Sequence, residues 1–465
     1  MRLKIAVSLW AAVFLAFVAI ASCKNCIAGK RKAGLKRRIV MLVKLVDKIL
    51  CDDGDLYSDC FARKTSGKED VGDSERTKTK ESEAKIDLLP EYHDNCSSQG
   101  VENKYLNCWI RSIDFNEKFT HKGINVDLCT HATLIHFFRL GNDSSLQMQE
   151  NVEKRFETTD FQPLVKMFQT KNKPVILAVG LDEDGLPPGK FSAIASKEGS
   201  RSLFVNSVMQ VIEKYNLDGL LLNWQYPVFW EDNILGKSSA YDGINYVHLM
   251  RIFSEKLKSK KRILQGYSTA NLAFSMFFDF KKLNSLVDHW FLPFFHFEGP
   301  TSTTTAISSP YNRAESMVSK HMGIISPDKL LLGIPTFYKP VVVDPKAKGI
   351  RLGTPLKNLP TNQRLSTFRS LCEEAAKGGM TVVHNENNVV NSYAFVKNDW
   401  VSYDSSIVAI NKVRMVLDNN LAGVFVPFIT VDDYDGKACN CGNFHILRSI
   451  KNALMGSVCV VKTCP

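Results

Sequence analysis

The sequence lacks the residue spacings that mark the common metal and cofactor sites. Its 12 cysteines include one CxxC pair, Cys23 and Cys26, but no second CxxC and no histidines at the spacing of a zinc site accompany that pair. We therefore predict no metal ion and no cofactor. The same two cysteines are equally compatible with two half-cystines in disulfide bonds.

Excess positive charge is almost absent outside one segment. The formal net charge is +11, and nine basic residues against a single acid, Asp47, lie between Cys23 and Lys48. Such a segment is either a solvated tail or a surface for acidic lipid head groups or sulfated glycans, which would bind through Lys24–Lys48. We predict no nucleic-acid partner.

The first 22 residues have the pattern of a secretory signal peptide. Arg2 and Lys4 precede an uncharged apolar run over 5–20, and small residues follow at a cleavage site near Ala21 or Ser22. The basic flank leaves a retained membrane anchor as the alternative. With the 12 cysteines and the glycosylation sequons at Asn95 and Asn142, the leader favours an extracellular, secreted protein; the alternative is a membrane-anchored, lumenal one.

Composition divides the rest of the chain into four parts. A basic, cysteine-containing segment spans 23–62, and 63–87 is predicted to be a flexible linker because its charged core has Val71 as its only large apolar residue. A folded domain is predicted over 88–456, with a cysteine-containing tail over 457–465. Within that domain, 338–402 is too long for one connection and contains strand-like runs, which indicates an inserted α+β subdomain.

The folded domain alternates short apolar strands with amphipathic helices. Strand–helix alternation implies parallel βαβ units, and eight of them would close a barrel. The predicted fold class is therefore α/β, a (β/α)8 barrel with a small insertion between its seventh and eighth strands. The predicted strands are Tyr105–Ile110, Thr133–Phe138, Val175–Val179, Gly219–Trp224, Leu264–Thr269, Trp290–Phe295, Leu330–Ile334 and Val424–Phe428.

One segment carries a specific family resemblance. Residues 218–227 have the sequence DGLLLNWQYP, which resembles the fourth-strand motif D-G-x-D-x-D-W-E-Y-P of glycoside hydrolase family 18, the chitinase family. Weaker matches to the family's other strands occur in the family's order along the chain, at 128–131, 332–337, 399–404, 421–424 and 432–434. The resemblance implies a chitinase-like barrel with its site at the carboxyl ends of the strands.

The same resemblance predicts that the catalytic acid is missing. In the family a glutamic acid protonates the leaving oxygen, and an aspartate two residues earlier orients the substrate's acetamido group. Alternate residues of a strand share a face, and here that face carries Leu221, Asn223 and Gln225. An amide has no proton to surrender near neutral pH, and general acid catalysis contributes about 10²–10⁴-fold. Asp218, which remains, has a structural role in the family.

Other positions of the family's sugar subsite also differ. The sixth-strand tyrosine and aspartate align with Phe295 and His296, and the eighth-strand tryptophan that floors the sugar aligns with Pro427. Either a relaxed scaffold without chemistry at the barrel mouth or a residual binding site fits these replacements. We expect mutual hydrogen bonding among the polar groups rather than acid–base work by His296.

Several side chains remain candidates for ligand binding at the mouth. Loop aromatics after the fourth strand could stack on sugar faces or pack on neighbouring loops, and the aromatic of the first strand is expected to pack in the core more than to touch ligand. By alternation, Trp224 should face the helices instead. The candidate residues are Trp109, Gln225, Tyr226, Phe229 and Trp230.

The family resemblance also implies two disulfide bonds. They would join Cys108 to Cys129 and Cys372 to Cys439, linking the first two strands and tying the insertion to the end of the barrel. Cys464 is close enough in sequence to pair with Cys459 or with Cys441.

The function predicted from the sequence is that of a non-catalytic chitinase-like protein. It would bind chitin or N-acetylglucosamine oligomers or act as an extracellular signalling scaffold with a cell-surface protein partner. Two alternatives remain: an active glycosidase using displaced acids such as Glu231, Asp232 or Glu298, and a membrane-tethered adhesion protein acting through its basic segment.

Overall fold

The protein is described from a computed structural model. It describes residues 104–115, 119–141, 145–148, 161–180, 186–228, 238–269, 275, 277–295, 302–357, 361, 363–384, 391–456 and 464. Contacts divide the chain into Met1–Leu88 and Leu89–Pro465, and every described residue belongs to the second unit. The predicted leader, basic segment and linker lie outside the described residues.

The described part contains fifteen strands and nine helices. The strands are β1 (Tyr105–Arg111), β2 (His131–Ile135), β3 (Phe138–Leu140), β4 (Leu146–Met148), β5 (Val175–Gly180), β6 (Gly219–Asn223), β7 (Ile263–Tyr267), β8 (His289–Leu292), β9 (Leu330–Gly333), β10 (Val341–Val343), β11 (Leu356–Lys357), β12 (Thr381–His384), β13 (Ser392–Val396), β14 (Asp399–Tyr403) and β15 (Gly423–Val426). The α-helices are α1 (Phe161–Gln169), α2 (Pro188–Ser196), α3 (Glu198–Lys214), α4 (Asp242–Lys258), α5 (Phe280–Leu283), α6 (Tyr311–Met322), α7 (Phe368–Ala376), α8 (Ser406–Asp418) and α9 (His445–Leu454). Among these helices, none combines the length and the apolar character needed to cross a membrane.

Eight parallel strands close into a barrel. Their order around it is β1, β15, β9, β8, β7, β6, β5 and β2, and β1 pairs with β2 to complete the ring. Each of the eight strands expected from the sequence overlaps one barrel strand, so the predicted fold class is confirmed. The α+β insertion is also present, between barrel strands β9 and β15. It contains a five-stranded sheet with the order β11–β10–β14–β13–β12, and α7 lies between β11 and β12 in the sequence.

The fourth barrel strand, β6, shows how the two faces of each strand differ. Leu221 belongs to a buried cluster inside the barrel, whereas Leu220, Leu222 and Trp224 belong to the larger core between strands and helices. The Trp224 ring stacks on Phe191 of α2, with ring centroids 5.1 Å apart. Trp224 therefore faces the helices, as the alternation predicts.

Carboxylates at the amino ends of the strands join neighbouring strands. One oxygen of Asp218, just before β6, accepts the backbone N–H of Val175 at 2.8 Å. Asp288, just before β8, accepts the N–H of Leu264 in the same way, also at 2.8 Å. Each carboxylate thereby pairs a backbone N–H near the start of the adjacent strand that has no partner in the strand ladder.

Three rings fill the interior of the barrel at this amino end. Tyr105 lies between His131 and His289, with centroids 4.6 Å and 4.3 Å from its own. Burial lowers the pKa of both histidines to about 4, and a positive charge on His289 would lower the pKa of His131 further. Both rings are therefore neutral near neutral pH.

Disulfide bonds tie the domain at three places. Cys108–Cys129 and Cys372–Cys439 are the two pairs implied by the family resemblance, with Cα atoms 5.8 Å and 4.9 Å apart. The third joins Cys441 to Cys464, which is one of the two pairings left open for Cys464. It anchors residue 464 to the segment before α9.

Candidate functional site at the barrel mouth

The end of β6 places three side chains towards the barrel interior. Leu221 and Asn223 are fully buried, and Gln225 is partly exposed at the mouth. The Gln225 amide nitrogen donates to the Asn223 side-chain oxygen at 2.9 Å. Gln225 also hydrogen-bonds the Tyr267 hydroxyl of the neighbouring strand β7. One hydrogen bond thus joins the two amides, while the Asn223 amide nitrogen is buried without a partner among the described residues.

Below this amide pair the barrel is filled with aromatic rings. Trp109 is 3% exposed and stacks on Phe425 with centroids 4.9 Å apart. Phe291 and Tyr267 contact the same indole at 5.4 Å and 6.0 Å. Trp109 is therefore packed in the barrel core, and its ring face is covered by side chains of this chain.

Further aromatics form the rim above Trp109. Phe337 lies 5.3 Å from Phe295 and 5.0 Å from Phe428, centroid to centroid. All three rings are partly exposed. Pro427 is buried beside them, and its carbonyl accepts the Thr336 hydroxyl at 3.0 Å. We call Phe295, Phe337 and Phe428 the aromatic rim.

A basic group near the rim is already neutralised. The Arg111 guanidinium lies 4.1 Å over the Phe428 ring and makes a two-pronged contact with Asp114, at 3.0 Å and 2.7 Å. Thr430 donates its hydroxyl to the same carboxylate. Asp114 is therefore held as a structural partner and is not directed at a ligand.

The other nearby carboxylates of the described residues are also held in structural contacts. Asp242 accepts the Ser192 hydroxyl at 2.7 Å and the Ser239 backbone N–H at 2.8 Å, while burial raises the pKa of its carboxyl. Asp404 pairs with the fully buried Lys412 at 2.5 Å. Burial raises the pKa of Asp404 and the lysine opposes that rise.

Tyr226 directly follows Gln225. Of the three candidate aromatics after β6, it is the one that lies within the described residues. Burial raises the pKa of its hydroxyl to about 12, and a hydrogen bond with Thr269 works in the opposite direction. Its ring packs against both buried clusters, inside and outside the barrel. The Tyr226 side chain is partly exposed.

Several predicted residues lie outside the described part. These are the loop aromatics Phe229 and Trp230, the polar His296, the acids Glu231, Asp232 and Glu298, and the sequon residues Asn95 and Asn142. The structure brings Trp109, Asn223, Gln225 and Tyr226 to one end of the barrel. Asp218 lies at the opposite end, where its carboxylate bonds β5.

Sequence reasoning missed the residues that fill the mouth. Tyr267, Phe291 and Phe425 each lie on the inward face of a predicted strand, so counting alternate residues from each strand's start would have identified them. Strand alternation gave no such signal for Arg111 or Phe428. Phe428 has left-handed backbone angles (φ 61°), which break the alternation at that residue. Gln265 was also missed: it is fully buried, and both of its side-chain polar atoms lack partners among the described residues.

One group of residues has the composition of a metal site. Ligand atoms of Cys441, His445 and Cys464 lie within 4.8 Å of one another. The two sulfurs are bonded to each other, so neither is a thiolate available to a metal.

Fold and site together define a closed parallel (β/α)8 barrel whose carboxyl-end face carries the degenerate fourth-strand motif. The family model of glycosyl hydrolases family 18 matches residues 96–430, and the chain belongs to this family.

Relatives of this chain include a protein named as a chitinase and one named as chitinase-like. The chain is 25% identical over 370 residues to a probable chitinase 10 of Drosophila melanogaster, covering 76% of this chain but 16% of that much longer protein. It is 23% identical to human chitinase-3-like protein 2 over 75% of this chain and 91% of that one.

Solved structures share the fold at similarly low sequence identity. Catalytic domain 2 of the Ostrinia furnacalis Group II chitinase superposes with a TM-score of 0.69 at 22% identity, covering 78% of this chain and 98% of that domain. Human YKL-39, described as a pseudo-chitinase with retained chitooligosaccharide binding, superposes with a TM-score of 0.64 at 22% identity, covering 76% and 99%.

Proposed function

We propose that this protein is a non-catalytic chitinase-like protein. The observation that carries the proposal is the inward face of β6, where Leu221, Asn223 and Gln225 offer hydrocarbon and two amides. Gln225 occupies the position of the family's proton donor, and its amide nitrogen is engaged with Asn223 at 2.9 Å. A side chain without a transferable proton cannot act as general acid, so glycosidic bond cleavage lacks its first step.

The packing of the mouth supports the same proposal. A sugar at the cleavage position needs an open aromatic floor, whereas Trp109 is 3% exposed and is covered by Phe425 and Phe291. The described carboxylates near the mouth are paired with Arg111, with Lys412 or with backbone donors. We therefore propose a scaffold role first, in which a cell-surface protein is the partner.

Residual binding of chitin-type oligosaccharides is the second candidate. It is supported by the partly exposed aromatic rim, since ring faces at a barrel mouth can stack on sugars, and by relatives such as YKL-39, described as retaining chitooligosaccharide binding. Secretion through the 1–22 leader is part of the main proposal, whereas adhesion through Lys24–Lys48 belongs to the alternative of a membrane-tethered adhesion protein.

Hydrolysis of a fluorogenic chitotrioside over pH 4–8 tests the main proposal. The wild-type protein is expected to release fluorophore at the buffer rate. The triple variant Leu221→Asp, Asn223→Asp, Gln225→Glu restores the family's carboxylates, and any turnover that it gains must disappear in the matched Gln225 form, Leu221→Asp with Asn223→Asp.

Turnover by the wild-type chain, abolished by Glu231→Gln or Glu298→Gln, would overturn the proposal in favour of displaced acids. Calorimetry with chitopentaose separates the two candidates. Micromolar binding that is lost in Phe428→Ala supports the lectin role, and the absence of a binding signal at millimolar sugar supports the scaffold role.

A further inference from the structure

The amino end of the barrel, opposite the mouth, has a pocket that the family resemblance does not explain. Its volume is about 410 Å³, within the range of small-molecule sites. It lies below the starts of β1 and β5, against the Val126–Leu128 turn and the end of α9. Four of its twelve lining residues have apolar side chains: Leu106, Leu128, Leu454 and Met455.

The remaining wall is strongly basic. Four lysines line the pocket, and Asp127 is the one acid among the described lining residues. The Asp127 carboxylate lies 3.5 Å from the ammonium of Lys171 and 4.0 Å from that of Lys173. One carboxylate therefore faces an excess of positive charge. The four lysines, called the lysine ring below, are Lys104, Lys171, Lys173 and Lys451.

Neutral backbone carbonyls hold three of these ammonium groups in place. Lys173 donates to the carbonyls of Val126 and Cys129, both at 2.6 Å. Lys104 donates to the Leu421 carbonyl and to the Asn420 side-chain oxygen, both at 2.7 Å, and Lys451 donates to the Asp127 carbonyl at 2.9 Å. Carbonyls orient an ammonium without cancelling its charge, and each ammonium carries three donors, so N–H groups remain for a ligand.

Asp127 relieves only part of the repulsion within the lysine ring. Burial lowers the pKa of Lys173, and the charges of Lys451 and Lys171 lower it further, against the opposing effect of Asp127. Burial also lowers the pKa of Lys104. A bound anion would relieve the remaining repulsion and would favour the charged forms of Lys104 and Lys173.

We propose that this pocket binds a small molecule bearing a tetrahedral oxyanion, a sulfate or phosphate ester, whose carbon skeleton lies on the apolar wall. Lysine ammonium groups act as point charges that suit a tetrahedral oxyanion from several directions. The apolar lining residues, of which Met455 is 48% exposed, favour an ester over the free inorganic ion. This site is independent of the barrel mouth and of the proposed function.

Calorimetry on the full chain at low salt tests the proposal with glucose 6-sulfate and glucose 6-phosphate as probes. Inorganic sulfate, inorganic phosphate and neutral glucose are the comparison ligands. We expect saturable binding of the esters, weaker binding of the inorganic ions, none of glucose, and weakening as salt is raised. Whichever ester binds more tightly identifies the source of the oxyanion.

Charge variants give effects of opposite sign. Lys171→Gln with Lys451→Gln should weaken ester binding about tenfold or more, and Asp127→Asn should tighten it about threefold, since Asp127 competes with the ligand for the same ammonium groups. Lys377→Gln, at the exposed lysine that directly follows α7, is the matched control and should leave binding unchanged. Thermal unfolding of each variant checks that the fold is intact.

Three results would overturn the proposal. The first is the absence of saturable ester binding to the wild-type chain. The second is equal weakening by Lys377→Gln, which would make the effect one of overall charge. The third is equal binding of glucose, which would place the sugar elsewhere.

Discussion

The two ends of the barrel differ in where their ionisable groups lie. At the mouth, the inward positions of the described strands carry amides and aromatic rings, and Arg111 and Asp114 beside the aromatic rim neutralise each other. At the amino end, histidines fill the interior, carboxylates cap the strands and the lysine ring lines a pocket. Barrels of this kind place their chemistry at the carboxyl end. Here that end has become a packed core, and unbalanced charge remains at the other.

The largest effect expected of a single substitution tests whether the mouth is a core. Trp109→Ala should lower the free energy of unfolding by about 3–5 kcal/mol, because it leaves a cavity against Phe425 and Phe291. Urea denaturation measures this, and Tyr241→Ala, at a ring that is 56% exposed, is the control expected within about 0.5 kcal/mol of wild type. A decrease in unfolding free energy below about 1 kcal/mol for Trp109→Ala would mean that the Trp109 ring is exposed at the mouth and not packed in a core.

The second prediction concerns acid and the amino end. The pKa values of His131 and His289 are lowered from 6.5 to about 4 in the fold, so between these values the unfolded chain binds more protons. Stability should therefore be complete above about pH 6.5 and should fall as the pH approaches 4, by about 3 kcal/mol per histidine.

Urea titrations across this pH range measure the effect. The double variant His131→Gln, His289→Gln should flatten the profile, and the exposed His248→Gln should leave it unchanged. An unchanged slope in the double variant would assign the acid sensitivity to other groups.

The third prediction is a gain in stability inside the barrel. Gln265 is fully buried, and neither polar atom of its side chain has a partner among the described residues. Gln265→Met removes the cost of an unsatisfied amide while keeping its volume, so unfolding should become harder by about 2 kcal/mol. Gln210→Met, at an exposed position on α3, is the matched control. Destabilisation by Gln265→Met would indicate a buried polar partner, such as water.

The smallest effect separates a structural aspartate from a functional one. Asp218→Ala removes the acceptor for the Val175 N–H and should cost about 1.5 kcal/mol. Asp288→Ala should cost a similar amount through Leu264. If Asp218→Ala alters ligand binding at the mouth while leaving the unfolding free energy unchanged, its structural assignment is wrong.

Much of the fold followed from local patterns. Apolar runs alternating with amphipathic helices predicted the eight barrel strands, and the α+β insertion followed from one overlong connection with its own strand-like runs. Alternation along β6 correctly placed Leu221 inside the barrel and Trp224 against the helices. Such inferences succeed because a strand's two faces are fixed by a repeat of two residues.

The sites depended on distances that the sequence does not contain. The replacement of acids by Leu221, Asn223 and Gln225 is visible in the sequence, but the covering of Trp109 by Phe425 and Phe291 is not, because these rings come from three different strands. The lysine ring likewise joins residues separated by more than three hundred positions, from Lys104 to Lys451.

The sequence by itself determined the barrel, its family and the chemical nature of the groups on the β6 face, since periodicity and residue type are local properties. Tertiary structure alone decided which of those groups are buried, which charges are paired and where positive charge remains without a counterion. Burial and electrostatic pairing depend on atoms brought within a few ångströms by chain closure, and that proximity arises only when the barrel forms.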